Sequence, residues 1–543
     1  MTQEPCVPTG HWKVLLAGML FVGLNLWSYQ HCLSAEFTWI DRGEILAGRM
    51  VATSMSEIAE FFVDDRNYIG YYRPVSNLLH TLNYTLFGPN AAGHHGMVLV
   101  WHVAAALLLA AILSRLFSPA AGIAIALVWS VHPVHAGSVC LISTIQGVAV
   151  LVMGLLAVWC TLLLIDNRWT TAGTLAAVLV VGVLFALSLL TKEVAVVLPL
   201  IILTMVIARR PVRPGVTARL FTVLGTITVL FVLLRLMRGP GFGTQYPMSL
   251  SERLLTFADT YRAYIDYLLV LQPATIIDTA TRFGFLSSAQ KSTMMLYIMA
   301  MIVAVVATWR FDRRVSVWLM LFNICLIPVS QVIPTLHARA DRYLYVPSIF
   351  FLGAILFAAK CFADSATNWV GARPPGSIIY VVVGSALVLF EVTLTRTRTE
   401  LFINDLVLFG AAVQVEPDYR EGWCALGAWY GRAGDFERAT AHYERCLSES
   451  KGKISYANTD IAIVNLIDAH IRQRQFEKAL IVAEAYEASI ISSNYLDEVE
   501  FNRAIAEIGL GKADAARVRL RRYVQRHPED QTASRLLMMI SGG

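Results

Sequence analysis

About eleven stretches of this chain approach the roughly 20 consecutive apolar residues that an α-helix needs to cross the hydrocarbon core of a bilayer. They lie near 13–30, 96–117, 119–138, 142–165, 171–190, 193–208, 216–237, 291–309, 315–333, 344–362 and 377–394. A water-soluble fold has no means of hiding so many, and the composition agrees. Of 543 residues, 56% are hydrophobic and only 15% are charged, whereas soluble domains carry about 25% charge. The sequence therefore describes an integral membrane protein and excludes a cytosolic enzyme, a disordered chain and a fibrous one. The net charge of +5 comes without a dense basic run, which argues against nucleic acid as a partner. The run at 13–30 also fits a signal peptide, but its length and weakly basic start favour a retained helix. The eight cysteines have neither CxxC spacing nor a paired cluster, so neither a zinc site nor a disulfide framework is expected.

Charge is unevenly distributed. Residues 400–543 hold 38 of the 83 charged side chains, and the remaining 45 are spread over the first 399 residues. This predicts a membrane domain over 1–398 and a soluble domain over 399–543. The short loops set the orientation. With the N-terminus inside, the cytosolic loops carry Arg115, Arg168, Arg209, Arg210, Arg213, Arg219, Arg310, Arg313, Arg314, Lys360 and Arg373. The opposite short loops carry little beyond Lys192, Arg339 and Arg342. An odd number of spans then puts the C-terminal domain outside the cytosol, in the periplasm of a bacterial inner-membrane protein or in the lumen of the endoplasmic reticulum. Two long outer segments, 31–95 and 238–290, are aromatic-rich and too polar to span; they are expected to form interfacial helices over a cavity.

The C-terminal region repeats. Trp423, Leu426, Gly427, Tyr430, Gly434, Ala439, Tyr443 and Cys446 occupy positions 4, 7, 8, 11, 15, 20, 24 and 27 of a tetratricopeptide unit, a 34-residue helix pair. Leu466, Phe476, Ala479 and Tyr486 mark a second unit, and Ala504, Gly511, Ala516, Leu520, Tyr523 and Pro528 a third. Such pairs bury a core by stacking into an α-solenoid and offer a concave face to a peptide or protein. A stabilising cap without a ligand remains the alternative.

Groups capable of chemistry collect at the outer ends of the spans. The string Glu36-Phe-Thr-Trp-Ile-Asp41-Arg-Gly-Glu44 follows the first span, and Asp64-Asp65-Arg66 and Tyr71-Tyr72-Arg73-Pro74 come later in the same segment. A partly buried acid there could act as a general base on an acceptor hydroxyl. His95 and His102 bracket the start of the second span, and His132-Pro133-Val134-His135 ends the third. No third ligand stands at a fixed spacing, so these imidazoles are read as hydrogen-bonding groups, with a divalent metal left open. Lys192-Glu193 lies between two spans with no loop to hold it, and an intramembrane-edge cation is costly unless paired or used. Ala340-Asp341-Arg342-Tyr343-Leu344-Tyr345 opens another span, and Arg342 offers the planar fork that suits a phosphate.

Taken in order, Phe37…Asp41, Tyr72-Arg73-Pro74, His95…His102, His132-Pro133-x-His135, Lys192-Glu193 and Ala340-Asp341-Arg342-Tyr343-x-Tyr345, followed by repeats, resemble the transmembrane-and-tetratricopeptide-repeat protein O-mannosyltransferases and their bacterial relatives in the GT-C glycosyltransferase superfamily. The resemblance implies an all-α membrane bundle of about eleven spans and a sugar donor linked to polyprenyl phosphate. It further implies transfer on the outer face to a Ser or Thr hydroxyl, with Asp41 as base, Lys192 and Arg342 on the donor phosphate, and repeats that hold the acceptor protein. Arg73, His95, His102, His132, His135, Glu193, Asp341 and Tyr345 would support them. The chain departs from the family at Gly137, where a Glu is usual, at Ile145 and Gly147, where Arg and Asp are usual, at Val98 in place of Asn, and at Ile40 in place of the first of two acids. Two other classes compete: a non-catalytic scaffold that recruits a periplasmic partner through its repeats, and a transporter. The outer cluster of charges counts against the first, and the lack of internal inverted symmetry against the second.

Overall fold

A computed structural model describes residues 11–63, 71–166, 169–208, 213–238, 248–270, 276, 279–331, 335, 337–370, 377–448, 452–486 and 493–541. Asp64, Asp65, Arg66, Arg168, Arg209, Arg210 and Arg373 lie outside the described residues. Secondary structure is helical throughout the described chain, in two compact units, Met1–Asn404 and Asp405–Gly543.

Every apolar run of the first unit falls on a helix. Among the described residues six helices are long and apolar enough to cross a membrane: Ala91–Leu116, Ile142–Asp166, Thr171–Thr191, Pro214–Met237, Ser288–Phe311 and Pro347–Ser365. Counting the bent pair Pro119–Ser130 and Pro133–Cys140 makes seven. The unit is an integral membrane bundle, with fewer full-length spans among the described residues than the eleven expected. Breaks account for only part of the difference, since His11–Leu33 and Ser377–Thr399, outside those seven, are unbroken helices of 23 residues each. The third run breaks by 52° at His132-Pro133, where proline removes a backbone donor and clashes with the preceding turn. The sixth is interrupted after Lys192, leaving a helix of 11 residues, Leu198–Ala208. The ninth is a 14-residue helix, Arg313–Leu326.

Ala91–Leu116 is the hub, packed on His11–Leu33, Pro119–Ser130 and Ile145–Asp166. Small residues permit the close approach: a Cβ on Gly122 would meet the Ser114 backbone nitrogen at 2.3 Å. Trp129, Phe185 and Phe322 are fully enclosed in this core. By contrast, only 6% of the apolar window of Ser288–Phe311 is buried, so that helix presents its sides to lipid. The segments 31–95 and 238–290 contribute Met55–Val63, Pro74–Phe87 and Leu250–Leu268, helices with one polar side.

The second unit is a series of helical hairpins: Arg420–Arg432 with Phe436–Leu447, Thr459–Arg472 with Phe476–Tyr486, and Ser493–Gly509 with Ala513–Arg526. Each packs on the next in chain order. Gly427 lies against Tyr443, where a Cβ would come within 2.7 Å of the ring, so the first hairpin closes only around a glycine. The three hairpin turns use the same left-handed residue, at Gly434 (φ +80°), Arg474 (φ +58°) and Gly511 (φ +75°).

The absence of disulfides expected from cysteine spacing is overturned. Cys32 is bonded to Cys140 (Cα–Cα 4.9 Å) and Cys424 to Cys446 (5.1 Å). The first bond joins positions 108 apart in sequence, a distance at which spacing carries no signal. The second ties the two helices of one hairpin together.

Candidate functional site

Three cavities of the membrane unit lie end to end. The largest, ≈ 500 Å³, runs between helices and is walled by Leu109, Leu113, Val150, Leu155, Leu198, Met205, Trp318 and Phe350 among others, with Arg313 and Arg314 also in its lining. Val150, Val194, Val197 and Val346 also belong to a narrow neck of ≈ 30 Å³ that contains Lys192, Arg342, Tyr343 and Tyr345. Lys192, Arg342 and Tyr343 then reappear in the wall of a polar chamber of ≈ 70 Å³, with Ile40, Glu44, Tyr71, Arg73, Asn77, Ser143, Gln146 and His337. An apolar hollow thus shares walls with a cationic collar, which in turn shares walls with a chamber of acid and amide groups.

Local breaks in helices place the cations. The helix Thr171–Thr191 stops because Lys192 adopts an extended backbone (φ −158°), and a 3₁₀ turn, Glu193–Val197, follows. Ala340 is equally extended (φ −158°) ahead of the turn Asp341–Leu344 that carries Arg342. Arg73 precedes Pro74, which opens Pro74–Phe87; proline disfavours a helical backbone at the residue before it and is itself suited to the first helical position. Arg73 grips Glu193 with both arms of its fork, Nε to Oε2 at 2.9 Å and Nη2 to Oε1 at 2.5 Å. Arg342 stands 5.2 Å from the centroid of Trp39, a residue held at φ +52°. Backbone strain in a bulky residue is commonly kept only where surrounding structure imposes it.

The electrostatics follow from this crowding. Burial of Lys192, which is 8% exposed, together with Arg73 and Arg342, pulls its ammonium down to about 7, with Glu193 partly opposing. Burial would raise Glu193, but the Arg73 guanidinium outweighs it and holds the carboxyl at about 2. His337 is partly buried beside Arg342, Arg73 and Lys192, and burial and those cations hold it well below the usual imidazole value. Burial and the neighbouring Asp41 push Glu44 up to about 8.

Asp41 is fully buried, and its two oxygens are engaged by backbone: Oδ1 accepts from Ser143 N–H at 2.7 Å and Oδ2 from Ile142 N–H at 3.2 Å. Burial raises it to about 6, opposed by those hydrogen bonds. It does not line the chamber; Ile40 and Glu44 do.

Of the sequence-derived set, Arg73, Lys192 and Arg342 meet at the chamber, Glu193 holds Arg73, and Tyr345 lines the neck. The histidines are elsewhere. His102 Nδ1 is 2.7 Å from the Tyr345 hydroxyl and its Nε2 2.8 Å from Ser130 O. His135 and Trp129 pack beside it, ring centroids 6.1 and 5.3 Å away. His132 faces Leu268 O and His95 faces Glu36 O, each at 3.3 Å. These are buried braces. Among the described residues no group of three His, Cys, Asp or Glu is placed to hold a metal ion. Asp341 also turns from the chamber: Oδ2 accepts from Arg398 Nη2 at 2.6 Å and Oδ1 from Arg342 N at 2.7 Å.

The departures noted in sequence have structural meaning. A Cβ on Gly137 would lie 2.6 Å from Asp341 Oδ1, so no side chain fits without displacing that carboxylate. A Cβ on Gly147 would lie 3.4 Å from Lys192 Nζ, so the missing acid there leaves the lysine without a carboxylate on that side. Sequence reasoning passed over Asn77, Ser143, Gln146 and His337, which carry no motif, and Arg398, which pairs across 57 residues.

This combination describes an integral membrane protein, helical among the described residues, with an apolar hollow beside a charged chamber. A protein O-mannosyl-transferase of Caenorhabditis elegans is 22% identical over 451 residues, covering 78% of this chain and 61% of that protein. The sequence similarity thus falls on a protein of the kind that the ordered motifs resemble. It spans about three fifths of that relative's length. No protein-family model matches. Among solved structures, the apo oligosaccharyltransferase of Archaeoglobus fulgidus aligns with a TM-score of 0.39 and 12% identity, over 72% of this chain and 56% of that one.

Proposed function

We propose that the protein is a membrane glycosyltransferase that moves a sugar from a polyprenyl-phosphate donor to a hydroxyl, that of a protein Ser or Thr, on the non-cytosolic face. The observation that carries this reading is the continuity of the three cavities. An isoprenoid tail is apolar throughout and suits the large hollow. Its phosphate needs cations, which Lys192 and Arg342 supply in the neck. The sugar would then project into the chamber, beside the Glu44 carboxylate. Phosphate departure builds negative charge at the collar, and fixed cations aimed there lower the barrier without rearrangement. Lys192, drawn down to about 7, regains its charge when the donor's phosphodiester monoanion arrives beside it, and the added charge of the departing phosphate strengthens that pairing.

The shorter helices complete a bundle of about eleven spans in this reading, and the hairpins of the second unit form a tetratricopeptide solenoid that orients the acceptor protein. Both disulfides fit an outer location for Asp41 and the second unit, since such bonds persist in oxidising compartments; a bacterial inner membrane with a periplasmic C-terminus is the simplest setting. The test is transfer by purified protein in lipid nanodiscs, using polyprenyl-phosphate mannose and a panel of Ser/Thr peptides. Labelled peptide supports the reading. Release of partner proteins by mutation of the hairpin surface, with no transfer from any polyprenyl-phosphate sugar, would favour the scaffold instead.

A further inference from the structure

The chamber contains a carboxylate to which the resemblance gives no role. Glu44 is 3% exposed, forms part of the chamber wall with Arg73, Lys192 and Arg342, and its Oε2 has no hydrogen-bond partner among the described residues. A buried polar atom left unsatisfied is rare and costly, unless a ligand group completes it. Asp41, three residues earlier, has the opposite character. Its oxygens are consumed by the amides of Ile142 and Ser143, and Ile40 occupies the adjoining stretch of wall. The hydrogen-bonded turn Ile142–Thr144 supplies Ser143 and Thr144 to the same chamber, so Asp41 fixes the floor on which the open carboxylate stands.

We propose that Glu44 is the general base of sugar transfer and that Asp41 is a positioning residue which anchors the Ile142–Thr144 turn. This rests on the glycosyl-transfer reading above. In the step, the acceptor hydroxyl oxygen forms a bond to the anomeric carbon while its proton passes to Glu44 Oε2. The bond from that carbon to the phosphate oxygen breaks, and its electron pair leaves with the phosphate beside Lys192 and Arg342. Polyprenyl phosphate is released, and Glu44 returns the proton to water. A base titrating near the working pH is the most effective kind, and burial with Asp41 alongside brings Glu44 to about 8. Glu44 reacts through its ionised fraction, and Gln keeps the side chain's shape without that basicity, so the fold should tolerate the change.

The experiment compares wild type, Glu44→Gln, Glu44→Asp and Asp41→Asn for kcat, donor KM, thermal unfolding and retention of polyprenyl phosphate. Glu44→Gln should lower kcat by about 100-fold or more, the usual contribution of a general base, with unfolding temperature and lipid retention unchanged. Glu44→Asp should fall between Gln and wild type. Asp41→Asn should lower the unfolding temperature and reduce kcat less than Glu44→Gln does. Glu44→Gln with more than one tenth of wild-type kcat would overturn the assignment, as would an inactive Asp41→Asn of wild-type stability. If Glu44→Gln fails to fold, a Glu44→Asp variant at full rate overturns it and one slowed tenfold upholds it. Wild type that transfers no sugar from any polyprenyl-phosphate donor overturns the glycosyl-transfer reading, and this inference with it.

Discussion

Replacing Glu193 by Gln removes the negative member of the charged collar while preserving its shape. Glu193 holds Arg73 through two hydrogen bonds of 2.9 and 2.5 Å, and is held at about 2 instead of the ordinary glutamate value of 4.5. At about 1.4 kcal/mol for each tenfold change in proton affinity, that depression corresponds to at most about 3 kcal/mol of folding stability. The carboxylate is 31% exposed and the guanidinium 14%, so solvent screening brings the figure to about 2 kcal/mol. Because the folded value is depressed, the contribution is complete above pH 4.5 and disappears as pH falls through 2. Glu193→Gln should therefore lower the unfolding temperature in detergent by several degrees at pH 7, and the gap to wild type should narrow on acidification towards pH 3. Lys192 loses the one partner that raises it, so its ammonium should titrate below 7 and retention of polyprenyl phosphate at pH 7 should weaken. Equal unfolding temperatures at pH 7, or a gap that widens in acid, would refute the reasoning.

Other substitutions probe separate parts of the structure. Asp341→Ala leaves Arg398, itself 8% exposed, without its buried partner; the expected cost is about 3–5 kcal/mol, measured as loss of folded protein on size-exclusion chromatography. Arg474→Gly relieves a left-handed arginine at the turn where the neighbouring hairpins use Gly434 and Gly511. After the entropy cost of glycine it should stabilise the second unit by about 0.5–1 kcal/mol, read as protection of its amides in hydrogen exchange. Cys32 and Cys140 are buried in the folded protein, so after unfolding in denaturant without reductant a maleimide should label Cys140 only in the Cys32→Ser variant. Label mapped to Cys140 in unreduced wild type would contradict the bond between Cys32 and Cys140.

Much of the bundle is legible in sequence because a bilayer demands long apolar helices, and each apolar run did become a helix. What hydropathy does not register is a break inside a run. His132-Pro133 and Lys192-Glu193 interrupt helices without ending apolarity, and those breaks carry the site. The cations of the collar were readable because an unshielded charge at a membrane edge requires a use. Which acid faces the chamber was not. Asp41 and Glu44 stand three residues apart, and only the path of the chain at Ile142–Thr144 decides that one is capped by amides and the other left open. The roles of the histidines were equally hidden: the same HPxH spacing serves a metal site or a set of braces, and here His102, Tyr345 and Ser130 O satisfy one another. Long-range pairs such as Cys32–Cys140 and Asp341–Arg398 leave no periodic trace at all.

The central claim is that one ligand with an apolar tail and a phosphate fills the hollow and the collar together. Photo-crosslinking of the purified protein with a diazirine-bearing polyprenyl phosphate, followed by peptide mapping, tests it most directly. Label on the helices Ile145–Asp166 and Leu198–Ala208, lost in the Lys192→Ala, Arg342→Ala double variant and absent with the uncharged polyprenol, is the expected result. Equal labelling by the alcohol and the phosphate, or label that the double variant retains, would contradict it.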